Sequence, residues 1–202
     1  MGLYDTYLSY RIRASDAGLP DTVAVVVTER DLLTDGGCET LSELFTWAFD
    51  YGGAGVVVYV SVLDEQAVPT LRQRLATVDS PRPVAVRGPG DTERADAPVQ
   101  ISIGLGGKYE FAAAVQGIAE EVDAGSLDPD DISEADIERR LVFPTDPDLV
   151  IKTGDERLSD FMIWQSVYSE LYFTDVNWQN LRLRDYLRAL RDYQKRQRRF
   201  GR

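Results

Sequence analysis

The chain has 202 residues, 44% of them hydrophobic, and a formal net charge of −12. This length suits one domain with its own core, the apolar content excludes a disordered chain, and no run approaches the ~20 apolar residues that cross a bilayer. Because the chain contains no histidine and one cysteine, Cys38, a Cys/His metal site and an internal disulfide are both excluded. A bound metal would need oxygen ligands, which favours Mg²⁺.

Positive charge is concentrated at the C-terminus, where residues 182–202 hold nine Arg and Lys against two Asp. The remainder is strongly acidic and should repel a nucleic-acid backbone, so we expect no nucleic-acid partner. An acidic chain that uses Arg in place of Lys, with only three lysines, is typical of salt-loving organisms and suggests a halophilic archaeon-like source. No secretory signal pattern is present, which predicts a cytoplasmic protein, with peripheral contact at the membrane left open.

Apolar periodicity predicts alternating helices and strands along the whole chain. The N-terminal residues 1–20 are predicted to form an amphipathic helix, and apolar runs bounded by turn formers mark buried strands. The further predicted elements are strand 23–27, helix 39–51, strand 55–62, a weaker strand 83–87, strand 99–103, helix 110–125, a capped helix within 128–143, strand 148–152 and a basic C-terminal helix and tail within 182–202. Strands that alternate with helices and are apolar on both faces predict a single α/β domain over residues 1–202, with a central, mostly parallel sheet flanked by helices.

The segment 151–165, IKTGDERLSDFMIWQ, has the composition of an anion site. It leaves a predicted strand at its carboxyl end, where open α/β sheets bind ligands and helix N-termini present free N–H groups. Lys152, Arg157 and Ser159 could converge there on one anion, the arginine through its planar guanidinium and the serine through its hydroxyl. The alternative is structural: Ser159 caps a helix, and the charged residues form surface ion pairs.

A longer stretch carries a family resemblance. Residues 147–179, PDLVIKTGDERLSDFMIWQSVYSELYFTDVNWQ, and the terminal YQKRQRRFG resemble the C-terminal signature of the cis-prenyltransferases, the undecaprenyl and dehydrodolichyl diphosphate synthases. Weaker likeness covers the rest of the chain, including ISIGLGGKYEF at 101–111. The resemblance implies elongation of an allylic diphosphate with isopentenyl diphosphate in the cis configuration, Mg²⁺ dependence, a dimer, and a lipid product that grows into an apolar tunnel.

The resemblance also implies roles for matching residues. Those it assigns to the diphosphate of isopentenyl diphosphate are Lys152, Arg157, Ser159 and, from an Arg-any-Gly tail that reaches across the dimer, Arg199 and Gly201. Lys152 stands where the family usually has arginine, and Glu170 would contribute to Mg²⁺ binding from the partner subunit. The neighbouring aromatic residues are predicted to lie in the core or at the dimer interface rather than along a tunnel: Phe161, Trp164, Tyr168, Tyr172 and Phe173.

The chain departs from the family pattern where the allylic diphosphate would bind. The family's first strand normally ends in MDGNGRW, whose aspartate positions Mg²⁺ on that diphosphate; here VVVTERDLL occupies the place, with Thr28 at the aspartate and Glu29 and Asp31 at glycines. Two carboxylates at a phosphate cradle repel the ligand. The family's FSSENW is replaced by SVLDEQ, and the segment from Val62 to Val99, which walls the tunnel in active synthases, is shorter and largely polar in its first half.

These losses resemble the accessory subunits of heteromeric cis-prenyltransferases, of which the Nogo-B receptor is the eukaryotic example. We therefore predict a prenyltransferase component that binds isopentenyl diphosphate and supports a catalytic partner in making polyprenyl or dolichyl lipid carriers, without an elongation site of its own. A stand-alone synthase of short products, in which Glu29 or Asp31 replaces the missing aspartate, is a second hypothesis. A non-catalytic scaffold that binds diphosphate or lipid is a third.

Overall fold

The structure is a computed structural model that describes residues 2–91, 96–141, 143, 146–154 and 162–196. These ranges contain the helices α1 (Leu3–Arg13), α2 (Glu29–Leu33), α3 (Gly37–Asp50), α4 (Val68–Leu75), α5 (Gly107–Asp123), α6 (Glu134–Glu138) and α7 (Leu183–Lys195). The strands are β1 (Thr22–Thr28), β2 (Gly55–Ser61), β3 (Val84–Arg87), β4 (Val99–Ile103), β5 (Leu149–Thr153) and β6 (Glu170–Thr174). Short 3₁₀ turns lie at Glu65–Ala67, Pro129–Asp131 and Trp178–Asn180.

The six strands form one parallel sheet in the order β3-β4-β2-β1-β5-β6. The predicted α/β class is thereby confirmed. From β1 the chain proceeds to β2 on one side of the sheet and later returns to β5 on the other, so the strand order switches direction beside β1. Ligands of open α/β sheets bind in the crevice outside the carboxyl ends of the strands at such a point. The ends of β1 and β5 therefore frame the expected site.

Alternation along the strands divides the apolar side chains into two clusters. Val23, Val25 and Val27 of β1 face the larger core, which α1, α3, α4 and α7 cover. Ala24 and Val26 face a smaller cluster on the opposite side, which includes Phe143 and Met162. Successive side chains of a strand point to opposite faces of the sheet, and both faces are covered here. This double burial explains why the strands appear in the sequence as continuous apolar runs.

Several helices are shorter than the sequence predicts. The N-terminal helix expected within 1–20 spans only Leu3–Arg13, since Gly18 and Pro20 follow closely and disfavour its continuation. The helix expected within 128–143 is reduced to α6, which starts from a capping box between Ser133 and Asp136. No helix within the described ranges combines the length and apolar character that crossing a bilayer requires.

The helix that Ser159 would cap is not formed over the described residues that follow it, because residues 163–168 form turns. Met162 has a φ of 27°, which a right-handed helix does not accommodate. The chain then enters β6, an edge strand that the sequence did not predict because ELYFT is not a continuous apolar run. The short helices α2 and α4 were not predicted either.

Candidate functional site

Lys152 lies where the anion site is expected, near the carboxyl end of β5. It pairs in register with Val26 of β1 on one side and with Phe173 of β6 on the other. Its side chain is half-buried, and Nζ donates a hydrogen bond to the carbonyl oxygen of Thr153 at 2.6 Å. Gly154 follows with a φ of 73°, a conformation that favours glycine and ends the strand. The ammonium group is thus at the carboxyl end of β5.

Four of the predicted diphosphate residues lie outside the described residues: Arg157, Ser159, Arg199 and Gly201. The structure does define the two ends of the segment that contains Arg157 and Ser159. It leaves the sheet at Gly154 and is described again from Met162, whose backbone contacts the N-terminus of α5. A Cβ atom placed on Gly107 would lie 2.6 Å from the amide nitrogen of Ile163 and 3.2 Å from that of Met162. Gly107 therefore permits a close approach that positions the exit of this segment.

A buried carboxylate that sequence reasoning missed joins α5 to the same turn. Glu110 is only 4% exposed. Its carboxylate accepts hydrogen bonds from the backbone N–H of Phe143 at 3.1 Å and from the Gln165 side chain at 3.1 Å. The same Gln165 amide also lies within 3.2 Å of the Phe143 carbonyl oxygen. A buried charge requires such partners, so this network fixes the turn relative to α5.

Glu170 lies away from Lys152 within the subunit. It begins β6 and pairs with Leu149, whereas Lys152 pairs with Phe173. Three residues of strand correspond to about 10 Å. The carboxylate of Glu170 accepts a hydrogen bond from the guanidinium of Arg196 at 3.1 Å. Arg196 also pairs with Asp192 at 2.6 Å, so Glu170 is located at the base of the C-terminal tail.

Cation ligands do not converge in the described part of the chain. There, no group of three or more His, Cys, Asp or Glu side chains is arranged to hold a metal ion. Glu170 is one oxygen ligand of the kind that Mg²⁺ uses, and this ion commonly takes one or two carboxylates and completes its shell with water and substrate phosphates. Glu170 is thus of the right chemical type for Mg²⁺ but does not by itself form a metal site.

The carboxylates after β1 have structural partners. Thr28 caps α2, and its backbone N–H and hydroxyl each donate to Asp31 Oδ2 at 2.8 Å. Asp31 N–H donates back to the Thr28 hydroxyl at 3.2 Å. Glu29 Oε2 accepts from the backbone N–H groups of Leu63 and Asp64 at 3.1 and 3.2 Å. Asp31 thus completes a capping box, and Glu29 joins the loops after β1 and β2.

The face of the sheet beneath α4 is closely packed. Leu71 and Leu75 of this helix are 0% and 1% exposed and belong to the larger core. The strand side chains in the same core include Val58 and Ile101, both 0% exposed. Arg74 also joins α4 to the C-terminal end of α2 by donating to the Leu32 and Leu33 carbonyl oxygens at 3.3 and 3.1 Å. Apolar strand surface is therefore covered by α4 here.

The lone cysteine is not an activated nucleophile. Cys38 is half-buried, and its Sγ donates to the Leu32 carbonyl oxygen at 3.7 Å. Burial raises the pKa of this thiol, with the Arg74 guanidinium opposing the shift and Glu39 adding to it. A raised pKa leaves little thiolate near neutral pH.

Exposed apolar side chains cluster beside the edge strand β6. Ile163, Val167 and Tyr168 in the turn are 47%, 65% and 63% exposed, and Phe173 of β6 is 37% exposed. Tyr172 packs against the larger core. Trp164 stacks on Phe111 of α5 with the ring centroids 6.1 Å apart. Phe161 lies outside the described residues.

Comparison with known proteins identifies the family. A family model described as putative undecaprenyl diphosphate synthase matches residues 87–201. The tritrans,polycis-undecaprenyl-diphosphate synthase (geranylgeranyl-diphosphate specific) of Methanopyrus kandleri is 37% identical over 203 residues, which cover 82% of this chain and 74% of the relative. The chain belongs to this prenyltransferase family. The prediction of the family is confirmed.

Other relatives match this chain over a smaller part of their length. The synthase of the same name from Methanocaldococcus jannaschii is 52% identical over 109 residues, 51% of this chain and 39% of the relative. An isoprenyl transferase of Thermus thermophilus is 47% identical over 111 residues, 52% of this chain and 42% of the relative. The chain thus spans about two fifths of each of these relatives. The match to the family model starts at residue 87, so β1, α2 and β2 lie outside it.

Solved structures share the fold. Lavandulyl diphosphate synthase from Lavandula x intermedia, in complex with dimethylallyl diphosphate, superposes with a TM-score of 0.75 at 24% identity, over 91% of this chain and 99% of that one. A probable undecaprenyl diphosphate synthase from Campylobacter jejuni gives a TM-score of 0.68 at 21% identity, over 92% and 100% of the two chains. The parallel sheet with flanking helices is therefore the architecture of known prenyl diphosphate synthases.

Proposed function

We propose that this prenyltransferase is the subunit of a cis-prenyl diphosphate synthase that grips isopentenyl diphosphate while a partner subunit ionises the allylic diphosphate. The archaeal relatives are named as geranylgeranyl-diphosphate-specific synthases, so geranylgeranyl diphosphate is the proposed allylic starter. The product would be a polyprenyl diphosphate for a lipid carrier of the undecaprenyl or dolichyl type. The acidic, arginine-rich composition supports a halophilic cytoplasmic setting, with peripheral contact at the membrane where the lipid accumulates.

The proposed grip begins at the carboxyl end of β5. Lys152 supplies a point charge at the crevice, and Arg157 and Ser159 in the following segment would add a guanidinium and a hydroxyl. Arg199 and Gly201 of the tail would approach the same diphosphate from the neighbouring subunit. A diphosphate leaves water only when several fixed donors replace its hydration. These groups would hold the five-carbon unit with its double bond facing the allylic carbon.

The proposed cation ligand of this chain is Glu170. When bound, Mg²⁺ would neutralise part of the negative charge of the diphosphate. Within the subunit, Glu170 is about 10 Å of strand away from Lys152, and it pairs with Arg196 at the base of the tail. Both Glu170 and the tail would therefore serve the site of the neighbouring subunit rather than that of their own chain.

The observation that carries the accessory role is the hydrogen bonding after β1. Asp31 is engaged by the backbone and hydroxyl of Thr28, and Glu29 is engaged by two loop amides. These two carboxylates accept hydrogen bonds from different N–H groups of the protein. The close packing of α4 on the sheet supports the same conclusion, because a lipid tunnel on this face would need the space that Leu71 and Leu75 occupy.

We place the proposed interface with the partner subunit at the edge strand β6. An uncovered edge strand presents unpaired backbone groups and is usually protected. Here it adjoins exposed apolar side chains, Val167 and Phe173 among them, whose burial would drive association. The partner would be a complete family member that retains the MDGNGRW aspartate, or a second copy of this chain in a homodimer.

An elongation assay tests the proposal. The purified chain alone, given geranylgeranyl diphosphate, labelled isopentenyl diphosphate and Mg²⁺, is expected to release no polyprenyl product. Adding a complete paralogue from the same genome should produce long polyprenyl diphosphate at a rate above that of the paralogue alone. Elongation by the chain alone at the rate of a complete synthase would overturn the accessory role. Failure of every paralogue to bind or respond would instead leave a diphosphate-binding scaffold.

Arg199→Ala provides a more specific test of the tail. Removing one charge-assisted donor from a diphosphate is expected to lower the activity of the assembled pair by about tenfold to a hundredfold, corresponding to roughly 1.5–3 kcal/mol. Assembly should be unchanged, because the substitution removes a donor and little interface area. Size-exclusion chromatography with light scattering checks assembly beside the rate. Loss of the complex would assign the tail to docking.

A stand-alone synthase of short products is the second candidate. It is favoured by the Methanopyrus relative, which is named as a synthase and aligns over 82% of this chain. In that case the chain alone would elongate a short allylic diphosphate, and Glu29→Ala or Asp31→Ala would reduce turnover to a greater extent than the accompanying loss of thermal stability explains. A loss of stability without a specific loss of turnover would exclude them as metal ligands.

A further inference from the structure

The first and last helices form a surface outside the diphosphate site. α1 and α7 lie side by side and run in the same direction. Gln194 near the end of α7 donates to the carbonyl oxygens of Ile12 at 3.3 Å and Ala17 at 3.0 Å. At the other end, the Arg188 guanidinium lies 5.5 Å from the centre of the Tyr4 ring. The facing sides of the two helices are buried in the larger core, and their outer sides are exposed.

The outer side of α1 carries large apolar groups. Leu3 is 95% exposed, and Tyr4, Tyr7 and Tyr10 are 47%, 48% and 71% exposed. Positions 3, 7 and 10 follow helical spacing, so these side chains form one continuous row. Leu8 and Ile12, on the opposite side, are 0% and 1% exposed. The row therefore belongs to a helix that is already anchored by its other face.

The outer side of α7 adds positive charge next to this row. Leu3 and Tyr4 line a cleft of about 760 Å³ together with Arg182 and Arg184. Tyr10 lines a second cleft, of about 320 Å³, and the cations of that cleft are Arg11, Arg191 and Lys195. We call the outer sides of α1 and α7, with these two clefts, the α1–α7 surface.

Acidic groups on this surface are few. Asp185 is 4% exposed and is paired with Arg188 at 3.1 Å, and Asp5 accepts from the Gly2 amide at 2.8 Å. Glu43 remains at the rim of the larger cleft, and Asp192 of α7 is paired with Arg196 at 2.6 Å. In a chain of net charge −12, the α1–α7 surface is thus a local region of positive potential beside exposed tyrosines.

We propose that the α1–α7 surface docks the protein on an anionic lipid bilayer. Tyrosine has an apolar body and a polar tip, which suits the headgroup level, and guanidinium groups bind lipid phosphates. With 11 residues, α1 would lie along the interface over about 16 Å. Nucleic-acid bases would need free ring faces to stack on. The Tyr4 ring already stacks on the Tyr7 ring, with centroids 6.5 Å apart, and the Arg188 guanidinium lies over it.

Vesicle co-sedimentation of the full chain tests this proposal. Because the experiment does not measure prenyl transfer, a negative result would not bear on the proposed function. The protein should pellet with phosphatidylcholine vesicles that contain phosphatidylglycerol and stay in the supernatant with phosphatidylcholine alone. Binding should fall as salt rises, since the attraction decays within a Debye length. Equal binding to both vesicle types, or binding to neither, would overturn the proposal.

Two variants assign the binding to this surface. Arg184→Gln with Arg191→Gln should weaken vesicle affinity about fivefold for each arginine removed at low salt. Tyr7→Ser with Tyr10→Ser should weaken it at every salt concentration, because the row supplies apolar contact. The matched controls are Tyr109→Ser on α5, 58% exposed, and Arg139→Gln after α6, and both should bind as the parent does. Unchanged binding of both double variants, or displacement of the vesicles by oligouridylate, would contradict the assignment.

Discussion

Gly107 permits the close backbone approach that positions one end of the segment containing Arg157 and Ser159. Gly107→Ala would bring a methyl group within 2.6 Å of the Ile163 amide nitrogen, so the turn at 162–163 or α5 must move. Overpacking of this kind costs about 1–3 kcal/mol. We expect reduced thermal stability and weaker binding of isopentenyl diphosphate, measured by differential scanning fluorimetry and isothermal titration with the assembled enzyme.

Gly117→Ala is the matched control in the same helix. Its added methyl group would meet the flexible side chain of Arg140 at 3.2 Å instead of backbone. Alanine favours the helix interior by about 1 kcal/mol over glycine, so stability should hold or rise and binding should not change. If Gly107→Ala behaved like Gly117→Ala, the close approach would have no role in positioning the segment.

The Glu29 carboxylate provides a second prediction at this scale. Glu29→Gln keeps an acceptor but removes the charge that binds the Leu63 and Asp64 amides, and we expect a loss of about 1 kcal/mol in urea unfolding. Glu65→Gln, which makes the same charge change at an exposed site nearby, should be neutral. If Mg²⁺ stabilised the parent and Glu65→Gln but not Glu29→Gln, Glu29 would instead be a metal ligand.

Single residues were predictable where the local pattern was sufficient. The position of Lys152 followed from an apolar strand that ends in charge, and the structure places it beside β1. Glu110 was not singled out, because it is simply the first residue of the predicted helix 110–125. Its spacing to Ala114 and Ile118, four and eight residues on, puts it on the buried side of α5 and was the available signal. The partners of Glu29 are distant in sequence, so no local pattern could reveal them.

At the scale of elements, the edge strand β6 and the preceding turn make a testable interface. Val167 is 65% exposed in that turn, and Val167→Asp would place a charge where the proposed partner buries apolar surface. We expect the association to weaken about tenfold or more, measured by analytical ultracentrifugation. Leu63→Asp, at a 91% exposed position after β2, is the control and should leave association unchanged. Equal effects would place the interface elsewhere.

The predictable elements were those with long apolar runs. β1, β2, β4 and β5 are buried on both faces and are nearly as long as predicted, because sheet burial and sequence pattern agree. β6 was hidden because an edge strand half open to solvent lacks a continuous apolar run, and α4 was hidden by its polar composition. Met162 and the turn after it depend on the contact with Gly107, a tertiary effect that overrides the helical pattern of the local sequence.

At the scale of the whole molecule, the net charge of −12 predicts salt dependence. Self-repulsion acts over about 10 Å at 0.1 M salt and about 3 Å at 1 M. Raising KCl across this range should therefore raise the melting temperature, by about 2–4 °C for each kcal/mol of repulsion relieved. Sucrose at matched osmolality controls for exclusion of cosolute. A melting temperature that responds to sucrose but not to KCl would refute electrostatic screening.

Through its ion pair with Arg196, Glu170 would link cation binding in the proposed site to release of the C-terminal tail. Glu170 Oε2 accepts from the Arg196 guanidinium, and under the proposed role a cation would compete with that guanidinium for the same carboxylate. Loading of the cation would release Arg196, and Arg196 is the last described residue before the tail. By thermodynamic reciprocity, engagement of that tail elsewhere would in turn make the carboxylate more receptive to the cation. Each half of a dimer would in this way communicate its cation occupancy to the other half.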